Sequence, residues 1–431
     1  MSDMTRRLFF GRSLAIAGAG TLPSALFAGD DPEAPDGSPA DDNIAGEISS
    51  VPWKPFSDRK VRVGIAGYGY CHFGGCFEFQ HHPNVEIVAV AELFPGRRDA
   101  LIKRLELDTP EKRGTFRVYD FCEDMIDRER DMDAVWIATD APSHAALAVR
   151  ALNRGLHVAS AVPVLFGRAQ LEDGWADRLI DAYRRSGRVY AMFETSAYRH
   201  ELYAAKRLYD AGKLGKIVYT EGEYYHYSEK ELAHSYTRML GDNHHWRAWM
   251  PPMWYPTHAS AFYPLVTGKG YTEVSCVGSR NPECPRSAHY PANPYGNPFG
   301  SEIAMFRTED GGSARISVCW DLPGCGDETG RMLGTKGSFY FCDWRRKVRN
   351  YQGLCDVRDV DVRKPQLPPG VLPGEHGGSH GYLTDDFIRA VLLKRPPACD
   401  LFAGLNLTVP GIYAHDSALK DGERLKVPVF R

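Results

Sequence analysis

The chain's alternation of apolar and polar positions changes rhythm twice. Residues 1–28 open with Thr5-Arg6-Arg7-Leu8-Phe9-Phe10-Gly11 and continue through Ser, Ala, Gly and Leu to Ala28. A charged start followed by a short apolar stretch is the pattern of an export signal, and the paired arginines resemble a twin-arginine one. The stretch is too short and too rich in small residues to predict a membrane span. Residues 29–58 are rich in Asp, Pro, Gly, Ser and Ala, lack apolar periodicity, and read as a flexible linker. The expectation is an exported, periplasmic or extracytoplasmic protein with no membrane span after processing.

From residue 59 the rhythm is that of a folded α/β domain. Short apolar runs at 61–67, 85–91, 133–138 and 189–193, with another from His157, predict buried strands. Between them lie helical patterns at 96–106 and 168–186, and a third that Ser143 caps and Gly155 ends. Strands alternating with helices predict a parallel sheet over 59–194, a Rossmann domain. Beyond 195 the pattern shifts again. A helix at 199–211 precedes strand-like segments at 216–226, 271–278, 302–308 and 312–320. Pro/Gly-rich stretches at 281–300 and 364–380 predict long loops, which often carry function. A helix at 380–394 is expected to return toward the first domain. Residues 195–431 thus read as a second, sheet-rich domain, and the fold class is α/β.

Composition changes this picture little. The chain of 431 residues is 43% hydrophobic and 25% charged, as globular domains are. A net charge of −3 offers no electrostatic footprint for nucleic acid. Aromatic residues crowd into 219–263; sugar sites use such faces, and so do ordinary cores. The 10 cysteines include no C-x-x-C pair, so zinc and redox spacings are absent. Export would permit disulfides; free or buried thiols are the alternative. His244 and His245 invite a metal, but no ligand spacing supports them, and none is expected.

Candidate chemistry begins at Gly67 and Gly69, a glycine turn after the first strand, with Tyr70 and Cys71 next. Such a turn lets backbone approach a pyrophosphate at a helix N-terminus. His72 occupies the third glycine place, with Gly74 and Gly75 just beyond. Glu92 ends the second strand, where a carboxylate accepts from ribose hydroxyls and repels a 2′-phosphate. NAD is favoured over NADP, although Arg97 and Arg98 keep NADP open. Tyr255 and His258 are three residues apart and Pro256-Thr257 reads as a helix start, so one helical turn puts them on a common face. A helix N-terminus there favours a neutral histidine base or a phenolate. A packed aromatic pair is the plainer reading. Arg247 could hold a hydroxyl or carboxylate by a forked contact.

The runs Val63-Gly-Ile-Ala-Gly-Tyr-Gly69, Val88-Ala-Val-Ala-Glu92, Asp133-Ala-Val-Trp-Ile-Ala-Thr139 with His144, Gly155-Leu-His-Val158, Gly212-Lys-Leu-Gly215 and Gly334-Thr-Lys-Gly337 resemble the Gfo/Idh/MocA oxidoreductases, in order over residues 60–430. The resemblance implies a second α/β domain with an open, mainly antiparallel sheet, and a small-molecule or glycan carbohydrate held between that sheet and the nicotinamide. It adds Thr139, His144 and Pro163 to the cofactor site and implies a homo-oligomer through the open sheet. One departure matters. The family's usual Glu-Lys-Pro is here Ala161-Val162-Pro163. In ordinary dehydrogenases of the family that lysine assists proton transfer, and Val162 has no proton to give.

A narrower branch, the NAD-dependent glycosidases of glycoside hydrolase family 109, also carries valine there. It has features similar to Met192-Phe-Glu-Thr-Ser-Ala-Tyr198, Gly222-Glu-Tyr-Tyr-His226, Trp246-Arg247, Tyr255-Pro-Thr-His258 and His376-Gly-Gly378, but glutamate where Ala161 stands. This implies Tyr255, His258 and Tyr198 as catalytic, and Arg247, Trp246 and His226 as substrate contacts. It also implies transient oxidation at C3 of a sugar, loss of the acidified C2 proton, elimination at C1, and return of the hydride. A sugar or cyclitol dehydrogenase and a non-catalytic sugar-binding relative are the competing readings.

Overall fold

In the computed structural model the described residues are 52–69, 71–227, 246–247, 249–284, 293–323, 326–340, 351–352, 357–358 and 364–431. The expected signal, most of the expected linker, Tyr70, His244 and His245 lie outside them. The described residues fall in one compact unit. None of their helices is long and apolar enough to cross a membrane.

The first sheet is made of β1 (Val61–Ala66), β2 (Val85–Ala91), β3 (Arg117–Tyr119), β4 (Ala134–Ile137), β5 (His157–Ser160) and β6 (Tyr190–Met192), in the order β3-β2-β1-β4-β5-β6. Every pairing is parallel. This is the doubly wound order of a Rossmann domain. Its central strands read as nearly continuous apolar runs, interrupted only by Arg62 in β1, because both faces are buried. The covering helices include α1 (Pro95–Arg104), α2 (Cys122–Arg128), α3 (His144–Asn153), α4 (Gly167–Glu172) and α5 (Trp175–Ser186). The pattern expected over 168–186 is split at Gly174, which takes a left-handed backbone. Ser143 precedes α3 but does not cap it; its hydroxyl bonds to Asp140 and Thr139 instead.

The connection from β1 to β2 departs from expectation. Among the described residues the glycine turn is followed by two short 3₁₀ turns, at Phe73–Gly75 and Phe79–His81, and by no α-helix before β2. His72 and Glu78 both adopt positive φ, 59° and 65°, which interrupts any helix through them. The rings of Phe77 and Phe79 turn inward onto Trp136 and Phe193, with Trp136 and Phe193 centroids 4.6 Å apart. Aromatic burial of this kind outweighs one short helix.

The second sheet has nine strands: β7 (Ile217–His226), β8 (Tyr271–Ser279), β9 (Ser301–Thr308), β10 (Ser313–Cys319), β11 (Gly326–Gly334), β12 (Ser338–Tyr340), β13 (Tyr351–Gln352), β14 (Val357–Arg358) and β15 (Leu425–Lys426). Their order is β14-β13-β12-β11-β7-β10-β9-β8-β15, antiparallel except for β7 with β10. One face packs inward through Val274, Phe306, Ile316 and Met332; the other exposes Val277, Ile303 and Met305.

Five more helices tie the sheets together: α6 (His200–Asp210), α7 (Thr257–Ser260), α8 (Pro264–Thr267), α9 (His380–Leu393) and α10 (Leu401–Ala418). Helix α9 returns to the first sheet as expected, burying Phe387 and Ile388 in the same cluster as Val61 and Ile65. Helix α10 is apolar nearly all round and is buried between the sheets. Its Thr408 hydroxyl accepts from the Val164 amide, and its His415 meets Glu302 of β9 at 2.8 Å. A second oxygen of Glu302 accepts from the Met253 amide at 2.7 Å. This buried set fixes the chain entering α7 against the end of the first sheet.

Candidate active site

The glycine turn after β1 is shaped for close backbone approach. Gly69 has φ 71°, and a Cβ there would lie 2.4 Å from the Ala138 carbonyl oxygen. Gly74 takes over the packing place that His72 could not fill; a Cβ on it would lie 2.2 Å from the Gly67 carbonyl oxygen. Thr139 packs its methyl against Gly67, and its hydroxyl lies 2.6 Å from that of Ser143. Glu92 closes the turn: its carboxylate accepts from the Tyr68 amide at 2.8 Å and the Phe94 amide at 3.1 Å. Arg97 lies 3.8 Å from Glu92, and its guanidinium stands over the Tyr68 ring. His144 is a buried clamp between the ends of β4 and β5, with Nδ1 3.0 Å from the Pro163 carbonyl and Nε2 3.3 Å from that of Thr139. Burial pushes its pKa down. A backbone cradle that any Cβ would fill, with a carboxylate beside it, fits a dinucleotide pyrophosphate and ribose.

Next to this cradle a cavity of about 590 Å³ opens toward the second sheet. Its cofactor-side wall is apolar, formed by Cys71, Phe73, Val162 and Phe193. No lysine lines it. The other wall carries Tyr224 and His226 of β7 with Arg247, Tyr255 and His258. Helix α7 reaches that wall because Gly222 lets it lie directly on β7; a Cβ there would stand 1.9 Å from the Ala259 carbonyl oxygen. Of the residues expected in catalysis, Tyr255 and His258 therefore share the cavity, with ring centroids 5.6 Å apart. Tyr198 does not line it. Its ring stacks between Tyr203 and Tyr382 instead. Trp246 backs the wall through Tyr255 and Phe166 and is not itself a lining residue.

His258 donates from Nδ1 to Glu194 Oε1 at 2.6 Å, and Glu194 also accepts from the Ser196 amide at 2.9 Å. Burial alone would lower the His258 pKa, but the Glu194 carboxylate and, less, Glu328 outweigh it and raise it. Burial would likewise raise Glu194; the His258 charge and hydrogen bond hold it down at about 2. This corrects the expectation from the helix terminus: α7 is one turn long, and a full carboxylate at contact distance outweighs the partial charge of its end. The phenolate expectation is corrected too. Burial raises the Tyr255 pKa despite Arg247, so its hydroxyl keeps its proton. Arg247 Nη2 donates to the Tyr255 oxygen at 3.3 Å and stacks over its ring.

Residue-by-residue reading missed the partners. Glu194 came only as part of a longer motif, Arg199 only as the first residue of an expected helix, and Glu328 lies on β11, which showed no clear strand pattern. Arg199 and Glu328 form a two-point ion pair in the cavity lining, with Nη2 to Oε1 at 2.6 Å. The seven described cysteines, Cys71, Cys76, Cys122, Cys276, Cys284, Cys319 and Cys399, are free thiols. Among the described residues no cluster suits a metal.

Residues 61–193 match the Gfo/Idh/MocA model, described as an oxidoreductase family with an NAD-binding Rossmann fold. Among curated relatives, a "Glycosyl hydrolase family 109 protein 1" of Bacteroides fragilis is 32% identical over 167 residues, 38% of this chain and 35% of the relative. The chain thus matches about a third of the length of that relative. A family 109 protein of Saccharopolyspora erythraea is 22% identical over 396 residues, 86% of this chain and 83% of the relative. Among solved structures, levoglucosan dehydrogenase in complex with NADH and levoglucosan superposes with a TM-score of 0.69 at 18% identity, covering 86% of this chain and all of that one. That likeness concerns the fold.

Proposed function

We propose that this protein is an exported NAD-dependent enzyme that cleaves a glycosidic bond by transient oxidation at C3 of a carbohydrate. The observation that carries the reading is the asymmetry of the cavity: an apolar wall with Val162 where a dehydrogenase lysine is expected, facing a wall with a carboxylate-held histidine and a protonated phenol. The turn at Gly67 and Gly69, with Glu92 at its edge, would hold the cofactor. NAD, held there, would supply the acceptor for the C3 hydride, with the C3 hydroxyl proton lost to solvent and regained when the hydride is returned. Glu194 fixes the proton of His258 on Nδ1, which leaves Nε2 to take the C2 proton once C3 is a ketone. Tyr255 retains an O–H to donate to the leaving oxygen, and Arg247 beside it stabilises the charge that remains. Water then adds at C1, so the sum is hydrolysis. The similarity to family 109 proteins and the arginine-pair signal support this reading. A cofactor regenerated within each cycle suits a compartment with little free NAD.

The test starts with gentle purification of the mature protein and analysis of bound nucleotide. Bound NAD(H) is expected; its absence even after reconstitution overturns the redox reading. Glycosides turned over in deuterated water should release sugar deuterated at C2. Accumulation of NADH with the glycoside intact would instead establish plain dehydrogenation. Retention of the chain in the cytoplasm when residues 1–28 are present would remove the export element.

A further inference from the structure

His376 lines the cavity from the loop before α9, at a left-handed backbone position with φ 51°. Its Nδ1 is 2.9 Å from Nε2 of His380, and Nδ1 of His380 is 3.1 Å from the Cys76 carbonyl oxygen. A carbonyl can only accept, so His380 carries its proton on Nδ1. His380 is completely buried and stacks on Phe77 at 4.1 Å, which keeps it neutral and leaves its Nε2 bare. That bare nitrogen can only accept in turn, so His376 is protonated on Nδ1. One nitrogen remains, Nε2 of His376, with a lone pair and no hydrogen-bond partner among the described residues.

We propose that His376 is a hydroxyl-reading residue: the His380–Cys76 relay locks its Nε2 as a hydrogen-bond acceptor, which takes an O–H of the bound carbohydrate. The ligand class rests on the function proposed above. His380 is the positioning residue. The contrast with His258 sets the role. Both rings are held through Nδ1, but His258 is held by a carboxylate, which makes it a stronger base, whereas His376 is held by a neutral imidazole. The charged groups around His376 are Arg199 and the His258–Glu194 pair, with Glu375 on the same cavity wall. Burial, His380 and Arg199 together push its pKa down to about 3. Such a nitrogen is a poor proton acceptor and a fixed hydrogen-bond acceptor.

The experiment is ring-nitrogen NMR on the full mature chain carrying ¹⁵N-histidine, with His376 assigned through His376→Gln. The expected result is a bare Nε2 whose signal stays put from about pH 5 to pH 8, the window in which an ordinary histidine titrates. His380→Leu should release the tautomer. His380→Gln should retain it, since its amide N–H can serve the Cys76 carbonyl while its oxygen accepts from His376. Methyl glucoside, galactoside and the corresponding N-acetylhexosaminides then serve as ligands. The pyranoside that binds should move the Nε2 signal, and one of its monodeoxy forms should bind about 10- to 100-fold more weakly, a penalty that shrinks in His376→Leu. A protonated Nε2, or one that titrates normally, overturns the proposal and leaves the redox reading standing. A bare Nε2 that no pyranoside moves overturns the hydroxyl-reading role, and release of C2-deuterated sugar from glycosides in deuterated water then tells whether the carbohydrate reading fails with it.

Discussion

The two sheets meet their surroundings in opposite ways. In the six-stranded sheet both faces are covered, and the central strands bury nearly every side chain. Its edge of the cavity is correspondingly bland: a thiol, two phenylalanines and a valine. In the nine-stranded sheet one face is covered and the other exposes Val277 and Ile303 among an ion-pair network of Glu221, Glu223, Arg315 and Arg331. Its covered face supplies the titratable wall. A parallel sheet built from continuous apolar runs has no side-chain position to spare for chemistry, so it offers backbone at its turns. An alternating sheet has positions to spare; here Tyr224, His226 and Glu328 take them, and helix α7, laid on the same face, adds His258.

The largest expected effect tests the wall assigned to chemistry. His258→Ala should lower kcat by about 10²- to 10⁴-fold, the span of a lost general base, with bound NAD(H) retained. Glu194→Gln should move the ascending limb of the pH–rate profile to lower pH. The sign follows from the pair: Glu194 raises the His258 pKa, and the neutral, acting form appears only as pH rises through it. The pair's contribution to stability is lost as pH rises through that raised value, and lost as pH falls through the Glu194 value of about 2. An unmoved limb would detach Glu194 from the reaction.

Gly69→Ala tests the other half, where backbone does the work. A Cβ in a left-handed backbone costs about 1–2 kcal/mol, before the clash with the Ala138 carbonyl is counted. Nucleotide release on purification is the expected outcome, with the second sheet's ligand binding less affected. The smallest effects come from one substitution made in both sheets. Val63→Thr buries an unpaired hydroxyl at a fully covered position and should destabilise by about 1–3 kcal/mol. Val277→Thr, at 68% exposure, should change unfolding by no more than about 0.5 kcal/mol. A much larger loss at Val277 would mean that the open face is covered in solution.

Legibility followed the same division. Strands β1, β2, β4 and β7 to β10 stand within a residue or two of their expected places, because period-two or continuous apolar runs leave little choice. Helix α10 gave no such signal. It holds Pro410 and is buried all round, so it shows neither an amphipathic stripe nor a clean cap-to-cap run. The helix expected after Gly69 was lost to aromatic packing. Tyr198, adjacent in sequence to the site, turned to stack elsewhere.

The sequence by itself determined the cofactor half: Gly67, Gly69 and Glu92 follow directly on consecutive strands of one local unit, and the missing lysine at Val162 is read from a single position. Only the tertiary structure decided the protonation states. Glu194 meets His258 across 64 positions of chain, and His380 meets the Cys76 carbonyl across 304. Those contacts exist because α7, α9 and α10 are buried against sheets formed elsewhere in the chain. A proton's place depends on the nearest charge and carbonyl in space, which no local pattern records.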